Sequence, residues 1–192
     1  MVVVIEREAP TLIGRPATVS MPTPIGHALG GIAAGAVIVG VLKDSAARLG
    51  GRRLPVFLLF AVLGVLADVD FLIFTPHRYV THSLGAGFVV GLLAMLSCPR
   101  QPVIWAASTG AYLSHVLLDW LGNDTVKPLG VMALWPFDAA HYQAPFLLFR
   151  PVCRQYWLLD CWVSLAVSVG YELLVLGTVA LAAVALNRRR VW

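Results

Sequence analysis

Residues 25–42 read IGHALGGIAAGAVIVGVL, an apolar run in which His27 is the single ionisable side chain. At 1.5 Å of rise per residue, a helix of this length crosses most of a hydrocarbon core about 30 Å thick. Working outward, four more runs of the same character follow: Leu54 to Phe74, a short one from Ser83 to Cys98, Val103 to Leu121, and a long one from Trp162 to Leu186. Pro22 and Pro24 precede the first run, Gly50 and Gly51 the second, and Pro99 and Pro102 bracket the turn before the fourth, as expected of chain punctuation. Of the 192 residues, 59% are apolar and 12% charged, and the mean hydropathy is +0.81. Soluble domains average about 45–50% apolar and about 25% charged. The composition therefore excludes a soluble globule, a disordered tail and a nucleic-acid-binding arm. The expectation is an all-α, polytopic membrane bundle of about five transmembrane helices, one embedded domain over residues 21–192, with residues 1–20 as an extension outside the core. Met1 to Ser20 lacks the basic start and apolar run of a signal peptide, and Met21 is an alternative start.

Five spans place the chain ends on opposite sides, and the basic residues choose which. Lys43, Arg48, Arg52 and Arg53 flank the first turn, Arg100 the third, and Arg188, Arg189 and Arg190 follow the last span. By the positive-inside rule that face is cytoplasmic, which puts the loop between spans four and five outside the cytoplasm. This loop is rich in proline and aromatic residues, so Trp135, Pro136 and Phe137 and the Pro145 to Phe149 stretch are expected to lie on the bundle or in the interface. Gly31 with Gly35, and Gly87 with Gly91, form small faces suited to close helix approach. Cys98, Cys153 and Cys161 are too few for a disulfide framework; a Cys153–Cys161 bridge is the one to test.

The ionisable residues are not scattered over this topology. His27 opens span one, Asp68 and Asp70 close span two, His77 and His82 lead into span three, and His115 and Asp119 close span four. All reach the same, extracytoplasmic face. Groups of this kind near a span are costly and mark a site or a pathway. Asp68, Asp70 and Asp119 also stand at helix C-termini, where the macrodipole disfavours a carboxylate by about 0.3–1 kcal/mol; a bound cation reverses that penalty. His115 and Asp119 are four apart and share a helical face. Asp68 and Asp70, two apart, do not, so either the helix unwinds there or only one of them is a ligand. A set of His and Asp without Cys suits Zn²⁺ foremost, with Mn²⁺ or Fe as alternatives, and the number of candidates allows one or two ions.

Arg78 is placed either to hold a phosphate or carboxylate oxygen of a substrate or to contact a lipid headgroup. Asp124, Asp138 and His141 read as solvated loop residues. Glu172, within the last span, is either a buried carboxyl bonded to another helix or a sign that the span starts later.

Pro22-Thr-Pro-Ile-Gly-His27-Ala, Ala67-Asp-Val-Asp70, His77-Arg-Tyr-Val-Thr-His82-Ser, Ser114-His-Val-Leu-Leu-Asp119-Trp and Leu134-Trp-Pro-Phe137 together resemble the YdjM-like family of bacterial and archaeal inner-membrane proteins, grouped as metal-dependent hydrolases. The resemblance covers roughly residues 21 to 142. It implies a helical membrane protein with a metal site formed by His27, Asp68, Asp70, His77, His82, His115 and Asp119. More distantly, the ligand order is similar to that of the zinc-dependent phospholipases C and P1-type nucleases.

The resulting expectation is a membrane-bound, metal-dependent phosphoesterase acting on a lipid or lipid-linked substrate at the extracytoplasmic face of the inner membrane. Its partners are membrane lipids and that substrate, with no nucleic acid. Asp68, Asp70, His77 and Arg78 form the catalytic set, His77 as ligand or acid. The rivals are a metal-ion or small-solute transporter and a non-catalytic, metal-stabilised scaffold.

Overall fold

The computed structural model describes residues 18–19, 22–42, 53–72, 78–122, 128–146, 148–150, 152–153 and 157–187. Within them the chain is helical: α1 (Pro24–Leu42), α2 (Arg53–Val65) continued by a 3₁₀ segment (Leu66–Leu72), α3 (Leu84–Ser97), α4 (Pro102–Trp120) and α5 (Leu159–Leu186), the last with a π-helical turn at Leu173–Gly177. The bounds follow the apolar runs, with Pro102 in the first turn of α4, where its missing N–H costs nothing. α1 and α5 are long and apolar enough to cross a membrane. The one sheet among the described residues is a two-residue antiparallel ladder, β1 (Thr18–Val19) on β2 (Val152–Cys153). It joins the end of the N-terminal extension to the loop after α4. Lys43, Arg48, Arg52, His77, Asp124 and Arg188 to Arg190 lie outside the described residues.

α4 packs against α1, α2 and α3. Val39, Val56, Phe60, Leu63, Val103, Ala107 and Ala111 form the core between α1, α2 and α4. Close van der Waals packing joins these helices, and small residues permit it. Gly31 and Gly64 are the points of closest approach. A Cβ on Gly31 would come within 2.2 Å of the Phe60 carbonyl oxygen, and one on Gly64 within 2.3 Å of the His27 carbonyl oxygen. Gly35 lies against the Phe60 ring, and Gly87 and Gly91 face Leu113 and Thr109 of α4. Both small-residue faces therefore sit in helix contacts.

The loop after α4 is fastened to the bundle. Ala144 N donates to Trp120 O at 2.8 Å and Leu148 N to Leu121 O at 2.9 Å. Leu84 N and Gly85 N, at the start of α3, donate to Ala133 O and Trp135 O, while Ser83 caps the same helix by accepting from Ala86 N at 3.1 Å. Phe149 is buried against Leu118 and Leu176, whereas Phe137 is 92% exposed. Cys161 is in a disulfide and Cys98 is free; the side chain of Cys153 lies outside the described residues.

Candidate metal centre

The starts of α1 and α3 and the ends of α2 and α4 meet at one end of the bundle, and each carries His or Asp. His27 sits in the first turn of α1. His82 directly precedes the Ser83 cap of α3. His115 and Asp119 stand one turn apart at the end of α4. Asp68 and Asp70 are in the 3₁₀ segment that closes α2. With three residues per turn instead of 3.6, residues two apart point about 120° from one another. The two carboxylates thereby reach opposite sides of one imidazole: Asp68 Oδ1 is 3.6 Å from His82 Nε2, and Asp70 Oδ2 is 3.5 Å from His82 Nδ1.

Asp68, His82, His115 and Asp119 bring four ligating atoms within 4.8 Å of one another. His82 Nε2 and His115 Nε2 are 3.1 Å apart. Each is 3.4 Å from Asp119 Oδ2, and His115 Nε2 is 3.5 Å from Asp68 Oδ1. Zinc at about 2.0–2.1 Å from four tetrahedral ligands would separate them from one another by about 3.3–3.4 Å. The five imidazole–imidazole and imidazole–carboxylate separations, 3.1–3.6 Å, lie near that spacing.

The outer hydrogen bonds settle what the inner atoms present. His115 Nδ1 is 2.7 Å from Gly64 O; a carbonyl only accepts, so the proton is on Nδ1 and a neutral ring turns the Nε2 lone pair inward. Thr81 Oγ1 donates to Asp70 Oδ2 at 2.5 Å, which leaves that hydroxyl to accept from His82 Nδ1 at 3.0 Å. His82 therefore also directs an Nε2 lone pair inward. Two nitrogen lone pairs thus face two carboxylate oxygens. Among the described residues, Asp68 Oδ1 and both oxygens of Asp119 are buried and make no hydrogen bond. Each buried acceptor left so costs about 1–3 kcal/mol, more for a charged group. A divalent cation satisfies all four atoms at once, so the residues present fit such an ion. Burial pushes the His82 imidazole down, but Asp68, Asp70 and Asp119 outweigh it and hold its pKa above the usual range. A proton on that ring and a metal ion compete for the same place, so binding an ion would release the proton.

The remaining candidates surround this group. Asp70 stands behind His82, as carboxylates stand behind metal-bound imidazoles. His27 stacks on His115, ring centroids 3.8 Å apart, and its Nε2 is 3.2 Å from Asp119 Oδ1. His77 lies outside the described residues. Arg78 is 6% exposed and its backbone N–H donates to Asp70 Oδ2 at 3.3 Å. Asp138 is in the exposed loop, accepting from Ala140 N and the Tyr142 hydroxyl.

Glu172, 1% exposed, resolves the alternatives at that position: it is a carboxyl bonded to another helix. It accepts from Thr23 N at 2.9 Å and from the Thr23 hydroxyl, which seats the start of α1 one turn before His27. Two supports were not expected from sequence, Gly64 O and Thr81. A backbone carbonyl carries no residue-type signal; Thr81, beside His82, was the legible one.

The family model for the YdjM inner membrane protein matches residues 21–191. The chain belongs to the YdjM inner membrane protein family. The YdjM match takes in all five helices and every residue of the four-atom group. No curated protein and no solved structure matches the chain.

Proposed function

We propose that this YdjM protein is a five-span, multi-pass enzyme whose metal centre faces the extracytoplasmic side and hydrolyses a phosphoester in a lipid or lipid-linked substrate. The observation that carries the reading is the pair of facing Nε2 atoms, His82 and His115, closed by Asp68 and Asp119. A divalent ion held there would supply Lewis acidity and a water acidified to near neutral pH, the requirements of phosphoester hydrolysis. Zn²⁺ suits the spacing, with Mn²⁺ or Fe as alternatives.

The chain's own residues do the rest. Gly64 O and the Thr81–Asp70 pair hold the two imidazoles in the ligating tautomer. Asp70 is occupied by that task, so Asp68, whose side chain is 17% exposed, is the carboxylate placed to take a proton from water. An apolar groove of about 300 Å³, lined by Leu84, Leu113, Leu117, Trp120 and Leu134 among others, lies at the site end of α3 and α4 and suits an amphipathic substrate. Cys161 supports the orientation. It lies beyond Glu172, toward the site end of α5, and disulfides persist in oxidising compartments. The basic turns belong to the opposite face.

A second reading has one observation in its favour. Four protein atoms on a zinc tetrahedron leave no open position, the mark of a structural site. A hydrolytic ion requires a fifth ligand or the release of Asp68, the exposed member. The test is phosphate release from phosphatidic acid and from soluble phosphomonoesters and diesters by the metal-loaded protein. Turnover that Asp68→Asn reduces at least about 100-fold, with metal retained, supports the enzyme. Stoichiometric metal without turnover on any of these substrates supports the structural site.

A further inference from the structure

The loop after α4 brings one more imidazole to the site end of the bundle. Val131 and Tyr142 exchange both backbone hydrogen bonds, at 3.0 and 2.9 Å, which pinches residues 131–142 into a closed loop. Leu84 N and Gly85 N tie this loop to the start of α3, two residues after His82. His141 stands at the pinch, half-buried, with its ring edge-on to Tyr79 at 5.3 Å between centroids. Its Nε2 is buried and makes no hydrogen bond among the described residues.

Tyr79 follows Arg78, whose φ of 76° is a left-handed conformation uncommon for a residue other than glycine. Such conformations persist where surroundings enforce them, and they gather at functional sites. Here the Arg78 N–H bonds the same Asp70 oxygen that faces His82 Nδ1, so the guanidinium-bearing residue is one carboxylate removed from the His82 imidazole. Burial and the Arg78 charge both push His141 down from its ordinary range, so near neutral pH it is an uncharged ring with one N–H to donate. The Tyr79 ring that His141 meets is next in the chain to Arg78, and an arginine with a neighbouring imidazole suits an oxyanion, since arginine matches phosphate and carboxylate oxygens in geometry and charge.

We propose that Arg78 and His141 form a seat for a phosphoryl oxyanion beside the Asp68–His82–His115–Asp119 group, with the 131–142 loop as its outer wall. The proposal rests on the phosphoester reading and extends it to a residue that the sequence places in a solvated loop. His141 contributes a hydrogen bond to an anion, and such a bond is worth about tenfold or more in affinity.

The experiment measures binding of inorganic phosphate to the purified full-length protein, metal-loaded and metal-stripped, for wild type, His141→Gln and Arg78→Lys, with metal content determined for each. Thermal melting confirms that the variants are folded. A second arm compares phosphatidylcholine nanodiscs with and without phosphatidic acid, scoring protection of an introduced cysteine at position 139 from a water-soluble thiol reagent. The expected result is phosphate binding weakened about tenfold in His141→Gln and at least as much in Arg78→Lys, with metal content unchanged. Dependence on His141 in the phosphatidic acid arm alone still supports the seat and assigns its anion to a headgroup. Wild-type affinity for both probes in folded His141→Gln overturns the proposal, whatever the metal content. A wild type that takes up no metal but binds phosphate through His141 keeps the seat and removes the hydrolase reading instead.

Discussion

Two buried acidic clusters lie near the same end of this molecule, and their surroundings differ in kind. Glu172 is met by donors, the amide and hydroxyl of Thr23, and its charge or proton is provided for by the protein alone. Asp68 and Asp119 are met by the Nε2 atoms of His82 and His115, whose Nδ1 protons are committed elsewhere, to Thr81 and Gly64 O, while His27 Nε2 stands 3.2 Å from the other Asp119 oxygen. The first cluster is a helix seat. The second is a set of ligating atoms closed on one another that could hold a metal ion. Burial alone does not separate a structural carboxylate from a ligand; the direction of the neighbouring hydrogen bonds does.

Four substitutions test that contrast, in order of expected effect. His115→Ala removes a ligand outright. It should lower metal affinity by more than about 100-fold, and the melting temperature of the variant should no longer respond to a chelator, as read by thermal shift with and without chelation. A chelator response equal to wild type would break the contrast. Asp70→Asn leaves the four atoms in place and weakens the support behind His82, so titration against a competing chelator should show affinity lower by about 10–100-fold. No change would return Asp70 to the rank of a bystander.

Gly64→Ala sets a Cβ against the His27 carbonyl and displaces the carbonyl that orients His115. Spreading packed helices costs about 1–3 kcal/mol, and the expected reading is a lower melting temperature together with metal affinity reduced about tenfold. Loss of stability with full metal affinity would show that the Gly64–His115 bond does not tune the site. The smallest effect on metal belongs to Glu172→Gln. The amide keeps the shape of the side chain and loses part of its acceptor capacity, so stability should fall by about 1 kcal/mol while metal content stays at the wild-type level. Loss of metal here would merge the two clusters into one system.

The helices were legible in the apolar runs and their punctuation, and α1, α3 and α4 end within about one residue of those runs. The convergence of His and Asp was legible because successive helices that alternate in direction bring residues at alternate ends together. What each residue does there was not. For Asp68 and Asp70 the sequence left open whether the helix unwinds or only one of them joins the site; the helix does turn 3₁₀ there, with Asp68 in the four-atom group and Asp70 on the far side of His82. The role of Glu172 depends on Thr23, 149 positions away, a pairing that no local pattern encodes. His141 read as solvated because loop position was the only signal, while hydrogen bonds at Val131, Ala133 and Trp135 tie its loop to itself and to the start of α3.

Metal analysis of the wild-type protein beside Asp119→Ala, both purified from membranes of cells supplied with zinc, manganese and iron, tests the central claim most directly. The account predicts close to one equivalent of a divalent metal or more per wild-type chain and loss of most of it in a variant that remains folded. A wild type that carries no metal, or an Asp119→Ala variant that carries as much as wild type, would contradict it.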